Sequence, residues 1–122
     1  MKALALLVLM LPGLALAHTF TFTWTDPAQR ADGSAFNADT DLSGYRLQCS
    51  GPENAERVID RAATSAVGPE RRYEWADAVQ ISGVYDCRMT AIDTGARESD
   101  WSNTASVAKF AAPSAPTDLR GQ

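Results

Sequence analysis

In HTFTFTWT, residues 18–25, apolar and polar side chains alternate without a break. Phe20, Phe22 and Trp24 fall on one side of an extended chain, and the threonines fall on the other. Alternation with a period of two predicts an antiparallel strand that buries one face and exposes the other. The Asp-Pro pair that follows ends this strand.

Further segments with strand patterns follow along the chain, separated by turn signals. They are residues 44–50, 56–61, 72–75, 84–92 and 101–110. Residues 56–61 are short and charged, as expected of a strand at a sheet edge. Residues 26–43 are polar and are predicted to form a long loop. A helix over residues 52–65 is an alternative with weak periodicity. Short strands without intervening helices predict an all-β, antiparallel β-sandwich.

Residues 1–17 have the pattern of a secretory signal peptide. Lys2 precedes an apolar stretch that ends in Ala15-Leu16-Ala17, a small-residue cleavage pattern. The stretch is short for a membrane span, which needs about 20 apolar residues, although an uncleaved anchor is the alternative. We therefore expect a secreted, periplasmic or extracellular protein. Its predicted parts are the signal peptide, a domain and a proline-containing tail, over residues 1–17, 18–110 and 111–122.

Charge and cysteine content narrow the possible partners of the mature chain. It would carry ten basic and 15 acidic side chains, which leaves no basic surface for nucleic acid or anionic lipid. Cys49 and Cys87 are an even pair in an exported chain, and such a pair predicts a disulfide bond. His18 is the single histidine, so the ligands of a zinc site are lacking.

Asp93-Thr94-Gly95 spells the active-site tripeptide of an aspartic protease. That chemistry needs two carboxylates that share a proton, so a chain of this size would have to dimerise. Proteases of this type place a flap hairpin after the tripeptide, and the stretch after Gly95 leaves no room for one. The tripeptide is interpreted as a strand end and a turn, with Asp93 structural.

Other catalytic and cofactor patterns are lacking, so we expect no enzyme and no cofactor. One histidine cannot easily build a Ser-His-Asp arrangement, and the sequence has no glycine-rich phosphate loop. Asp39 and Asp41 are expected on a solvated loop, with a weak calcium contact as the alternative. His18 would become the mature amino terminus, where it could bind copper. Copper oxygenases that begin in a similar way add a second histidine, which this chain lacks.

Three segments together resemble a fibronectin type III domain of the bacterial secreted kind. They are TFTWTDP (21–27), DLSGYRLQCSG (41–51) and VQISGVYDCRMTAIDTGARESDWSN (79–103). The matching positions are Trp24 and Pro27, then Gly44, Tyr45 and Arg46, then Val79, Gly83, Tyr85, Cys87, Met89 and Ala91, then Asp93, Thr94, Gly95, Glu98, Ser99, Trp101, Ser102 and Asn103. The resemblance covers about residues 19–110 and implies an immunoglobulin-like antiparallel β-sandwich.

The resemblance also implies that residues 44–50 and 84–92 are antiparallel neighbours. The implied pairs are Cys49–Cys87, Leu47–Met89 and Tyr45–Ala91. All of these residues lie on the faces that alternation turns inward, and a slip of one residue would break every pair. Tyr85 stands where the family has a tyrosine-corner residue.

By analogy with this family, we expect a secreted, non-catalytic binding or adhesion module. The candidate surfaces are the loops 26–43, 62–71 and 94–101. Arg97 and Trp101 are the candidate binding residues, because Arg and Trp are favoured at interface hot spots. For Trp101, packing against the adjoining strand is the preferred alternative. A glycan site would need exposed coplanar aromatic rings, and Trp24 and Trp75 are expected in the core, so a protein partner is favoured over a carbohydrate.

The tail offers one further hypothesis, head-to-tail self-assembly. Residues 113–119, PSAPTDL, resemble the opening strand of the family, which reads Pro-x-x-Pro-x-x-Leu and is missing before Trp24. Donation of the tail to the open edge of another subunit would link copies in a non-closing contact. A disordered tail is the alternative and the preferred one.

Overall fold

A computed structural model describes residues 18–121, so the predicted signal peptide lies outside the described residues. The strands are β1 (Thr19–Trp24), β2 (Leu42–Ser50), β3 (Asn54–Asp60), β4 (Ser65–Val67), β5 (Glu70–Ala76), β6 (Gly83–Asp93) and β7 (Ala105–Lys109). One short helix, α1 (Ala38–Asp41), precedes β2, and a single 3-10 turn (Arg61–Ala63) follows β3. The strands form two antiparallel sheets, ordered β1-β5-β4 and β3-β2-β6-β7. The prediction of an all-β sandwich is confirmed.

The central pair of the larger sheet has the register that the resemblance implied. The facing residues of β2 and β6 include Cys49 and Cys87, Leu47 and Met89, and Tyr45 and Ala91. The two cysteines form a disulfide bond with an S–S distance of 2.10 Å. The Tyr85 hydroxyl donates a hydrogen bond to the Ile81 carbonyl, as a tyrosine corner does. The disulfide and the register are therefore confirmed.

The core lies between the two sheets and consists of the inward side chains of both. One cluster comprises Phe20, Phe22, Leu47, Cys49, Trp75, Val79, Tyr85 and Cys87, and a second comprises Leu42, Tyr45 and Ile59. Trp24 packs against both clusters while remaining partly exposed. Trp75 is buried, so the expectation that it belongs to the core is confirmed.

Several predicted boundaries were wrong, and one strand was missed. The predicted loop 26–43 contains α1 and the first residues of β2. The edge strand predicted over residues 56–61 is confirmed as β3, so the alternative of a helix over residues 52–65 is wrong. The missed strand is β4, three exposed residues that pair with β5. Three exposed residues have no buried face, so no alternation could reveal them.

The last strand begins at Ala105 rather than at residue 101. Before Ala105, two serines make hydrogen bonds to β6 in place of the regular strand ladder. Ser99 N–H donates to the Ala91 carbonyl at 2.8 Å, and Ala91 N–H donates to Ser99 Oγ at 2.9 Å. Ser102 binds Met89 in the same two-way manner, at 2.8 and 3.0 Å. Hydrogen bonds from these two serines thus hold residues 99–102 along the edge of β6, although residues 99–102 do not form a strand.

Candidate functional site

The loops predicted to carry the binding surface meet at one end of the sandwich. They are residues 26–43, 62–71 and 94–101. Thr94 N–H donates to the Asp41 carbonyl at 2.9 Å, which joins the first loop to the third. Arg71, at the start of β5, pairs with Trp24, at the end of β1, which places the second loop beside the first. The contiguous surface that this arrangement creates is called the loop end below.

Asp93 organises the loop end from a buried position, with only 6% of its side chain exposed. Its Oδ1 atom accepts the backbone N–H groups of Gly95 at 2.9 Å and Arg97 at 2.8 Å. Its Oδ2 atom accepts from the guanidinium groups of Arg30 at 2.9 Å and Arg97 at 2.7 Å. The Arg97 backbone N–H and then the Arg30 guanidinium hold the pKa of this carboxyl well below its usual range. Such a carboxylate is ionised near neutral pH and both of its oxygen atoms already accept hydrogen bonds, which supports its interpretation as structural.

Asp93→Asn is expected to lower the melting temperature by several degrees near neutral pH, because the ion pairs with both arginines lose their anion. The pKa of Asp93 is lower in the folded chain than the ordinary value of 3.8. Its stabilisation is therefore complete above that value and declines as the pH falls below it. Melting curves between about pH 3 and pH 7 should show the difference between variant and wild type shrinking on acidification.

The exposed Asp100 provides the control, since Asp100→Asn should change the melting temperature little at any pH. A loss for Asp93→Asn that does not depend on pH would contradict the ion-pair explanation. Acid cleavage of an unfolded substrate that pepstatin blocks would contradict the structural interpretation of Asp93 itself.

A second carboxylate, Asp26, has a side chain that is 11% exposed, connects β1 to β2 and was not found by sequence reasoning. Its Oδ1 atom accepts hydrogen bonds from Trp24 Nε1 at 3.0 Å and from the Tyr45 hydroxyl at 2.5 Å. Its Oδ2 atom lies 3.2 Å from a guanidinium nitrogen of Arg61, which also contacts Asp39 at 3.2 Å. Burial, and then the hydrogen bond to Asp26, raise the pKa of Tyr45 to about 12. The network holds the Trp24 ring at the end of β1.

Arg97 and Trp101, the predicted binding residues, belong to different parts of the surface. The Arg97 side chain is 73% exposed at the loop end, although its Nε atom is held by Asp93. The Trp101 ring stacks on the Arg88 guanidinium, 4.0 Å from ring centroid to Cζ, and remains 37% exposed. Arg88 extends from β6, so Trp101 packs on the adjoining strand. A role in binding stays a prediction for both.

His18 lies where β1 begins, beside the end of β7. Its Nε2 atom is 3.1 Å from the Ala108 carbonyl oxygen, which can only accept, so this nitrogen carries the proton. Its ring meets the edge of Phe20 at 5.4 Å between centroids. Within residues 18–121, no group of three or more His, Cys, Asp or Glu side chains is placed to hold a metal ion. A copper site at His18 stays a prediction.

The strand β1 has an unguarded edge on the side away from β5. Within residues 18–121 only β5 pairs with β1, so the backbone groups of β1 that point away from β5 have no ladder partner. Native edges are usually guarded by charge, proline, bulges or short length. The edge strand β3 contains three charged residues, β4 has three residues and β7 carries Lys109. The sequence of β1, TFTFTW, has no charge and no proline.

An apolar groove of about 280 Å³ borders this edge. It lies between the second half of β1 and residues 99–105, next to the serines that fasten the chain to β6. Its apolar lining includes Phe22, Trp24, Pro27, Leu47, Met89 and Ala91. We call it the β1 groove. Sequence reasoning placed all of these side chains except Pro27 on inward faces and therefore missed that some of them reach an open groove.

A larger and more polar depression of about 670 Å³ lies at the loop end. Arg30, Asp93 and Arg97 are among its lining residues, and their charges already pair with one another. The β1 groove differs because its apolar lining stands beside backbone groups that lack partners.

Comparison of the chain with family models, with curated proteins and with solved structures finds no match. Among residues 18–121 there is no helix of the length and apolar character that a membrane crossing requires.

Proposed function

We propose that this chain is a secreted, non-catalytic binding module of fibronectin type III type. The module takes an extended segment of a partner protein as an additional strand on β1. The single observation that carries this proposal is the unguarded edge of β1 beside the β1 groove. The division of the strands into β1-β5-β4 and β3-β2-β6-β7, together with the hydrogen bond of Tyr85 to Ile81, supports the fold type.

Strand addition suits the β1 edge and the β1 groove because it uses both of them. Main-chain hydrogen bonds to the edge supply affinity, and pockets for alternate side chains supply specificity. The edge offers only uncharged β1 residues, so no lysine or glutamate opposes an incoming strand. The groove would receive the inward side chains of the added segment, for which its lining predicts an apolar preference.

A carbohydrate ligand fits the aromatic residues less well than a protein does. Trp24 Nε1 is bonded to Asp26, and Trp75 is buried in the core. One face of Trp101 is covered by Arg88. These rings therefore do not offer the exposed coplanar pair that a glycan site would use.

A protein of residues 18–112 is used as bait to select peptides from a library of displayed random decapeptides. We expect the selected sequences to carry an apolar residue at alternate positions and to protect the β1 amides from hydrogen exchange when bound. The variant Ala105→Arg should weaken binding by about tenfold or more, because Ala105 lines the β1 groove. Ser106→Arg is the matched control, since Ser106 is the next residue of β7 and faces away from the groove.

Two results would overturn the proposal. One is a library that yields no peptide dependent on Ala105. The other is a glycan on an array that binds the domain and competes with every selected peptide. The substitution Ala105→Arg would have to abolish the binding of that glycan.

A further inference from the structure

We propose that the segment bound at β1 is the tail of a second copy of this chain, so that copies join head to tail. This inference rests on strand addition at β1, as proposed above, and names its partner. The donated part is residues 113–121, which follow β7 along the chain.

The tail is available for such a contact. Residues 110–121 lie outside every strand and are exposed throughout. Leu119 is 95% exposed and Phe110 is 80% exposed. A leucine that is exposed to this extent gains by any contact that buries it. The tail therefore carries an apolar group without a place in its own domain.

The chain direction prevents the tail from adding antiparallel to its own β1. The His18–Ala108 contact at 3.1 Å shows that β7 ends where β1 begins. An antiparallel neighbour of β1 must instead enter beside Trp24, about 20 Å away along a strand of six residues. Residues 110–116 span about 24 Å when fully extended, which leaves about one residue for a reversal that needs two or more. The tail of another copy enters from the Trp24 end without a reversal.

The sequence of the tail matches the surface that would receive it. In an added strand that turns Leu119 toward the groove, the neighbouring Asp118 and Arg120 point to solvent. These two side chains have opposite charges, so the tail adds no net charge to an acidic domain.

The two prolines of the tail suit its approach to the edge. Of the donated residues 113–121, only residues 117–121 would pair with β1. Pro113 and Pro116 precede them, so their missing N–H groups cost no ladder hydrogen bond. They also hold the approaching chain in an extended form, which reduces the entropy lost on binding.

Such a contact joins two different surfaces and does not close on itself, so it produces chains of copies. Light scattering on residues 18–122 should show a molar mass that rises with concentration. The version ending at Ala112 and the variant Leu119→Asp should remain monomeric over the same range. Phe110→Asp is the matched control, because Phe110 is also exposed but lies outside the donated segment. It should assemble as the wild type does.

A synthetic peptide of residues 113–122 tests the contact without assembly. It should bind residues 18–112, and Leu119→Asp in the peptide should weaken binding by about tenfold or more. Ala105→Arg in the domain should weaken it similarly, and Ser106→Arg should not. Bound peptide should protect the β1 amides from hydrogen exchange.

Three results overturn the inference. The first is a full-length protein that stays monomeric at the highest soluble concentration. The second is protection of the β1 amides by the tail within a monomer, since the tail would then pair with its own strand. The third is a tail peptide that fails to bind while library peptides do bind at β1. That last result leaves the proposed function intact and removes only its assignment to a second copy.

Discussion

Replacing Cys49 and Cys87 together by alanine is expected to lower the free energy of unfolding by about 4 kcal/mol. The bond links residues 38 positions apart, and a cross-link of this length removes much of the entropy of the unfolded chain. Both cysteines are buried in the main core cluster, so their sulfur atoms also contribute packing. Urea denaturation of the wild type and the double variant measures the difference.

Reduction provides the control for the disulfide prediction. A reductant should lower the midpoint of unfolding of the wild type and leave that of the double variant unchanged. The intact mass should rise by two hydrogens on reduction. Two thiols that react with an alkylating reagent in the native, unreduced protein would contradict both the bond and this prediction.

Asp26→Ala is expected to lower the free energy of unfolding by about 3 kcal/mol, because it removes one partner from a buried charged network. The carboxylate is 11% exposed and accepts from Trp24, Tyr45 and Arg61. Without it, the buried Tyr45 hydroxyl and the partly exposed Trp24 Nε1 lose their acceptor, and the Arg61 guanidinium loses an anion. Urea denaturation again measures the change, with Asp100→Ala as the exposed control.

Asp26→Asn should lie between the wild type and Asp26→Ala, because the amide oxygen can still accept from Trp24 and Tyr45. Since Trp24 lines the β1 groove, we also expect Asp26→Ala to weaken peptide binding at β1. Equal and small losses for the alanine variants of Asp26 and Asp100 would show that the network contributes little.

Arg97 and Trp101 were singled out from the sequence because of their residue types, and both lie on the surface. The unguarded character of the β1 edge was visible in the sequence but was not used to predict a binding surface. HTFTFTWT lacks the charge or proline that guards an edge strand, and this property is visible without coordinates. The groove had no such signal, because it depends on the distance between β1 and residues 99–105, which are far apart in the chain.

Local alternation was enough to predict most strands and their buried faces, the even cysteine pair predicted the disulfide between Cys49 and Cys87, and the resemblance to a known family supplied the β2–β6 pairing. A period of two assigns each side chain to a face, and a shift of one residue would expose a whole face, so few registers are possible. The Asp26 network, the environment of Asp93 and the serines along β6 became known only from the tertiary structure. Asp26 and Arg61 are 35 positions apart, and Arg30 and Asp93 are 63 apart. Loop side chains have no periodicity, so their partners are set by how the two sheets pack and where the loops between the strands then lie.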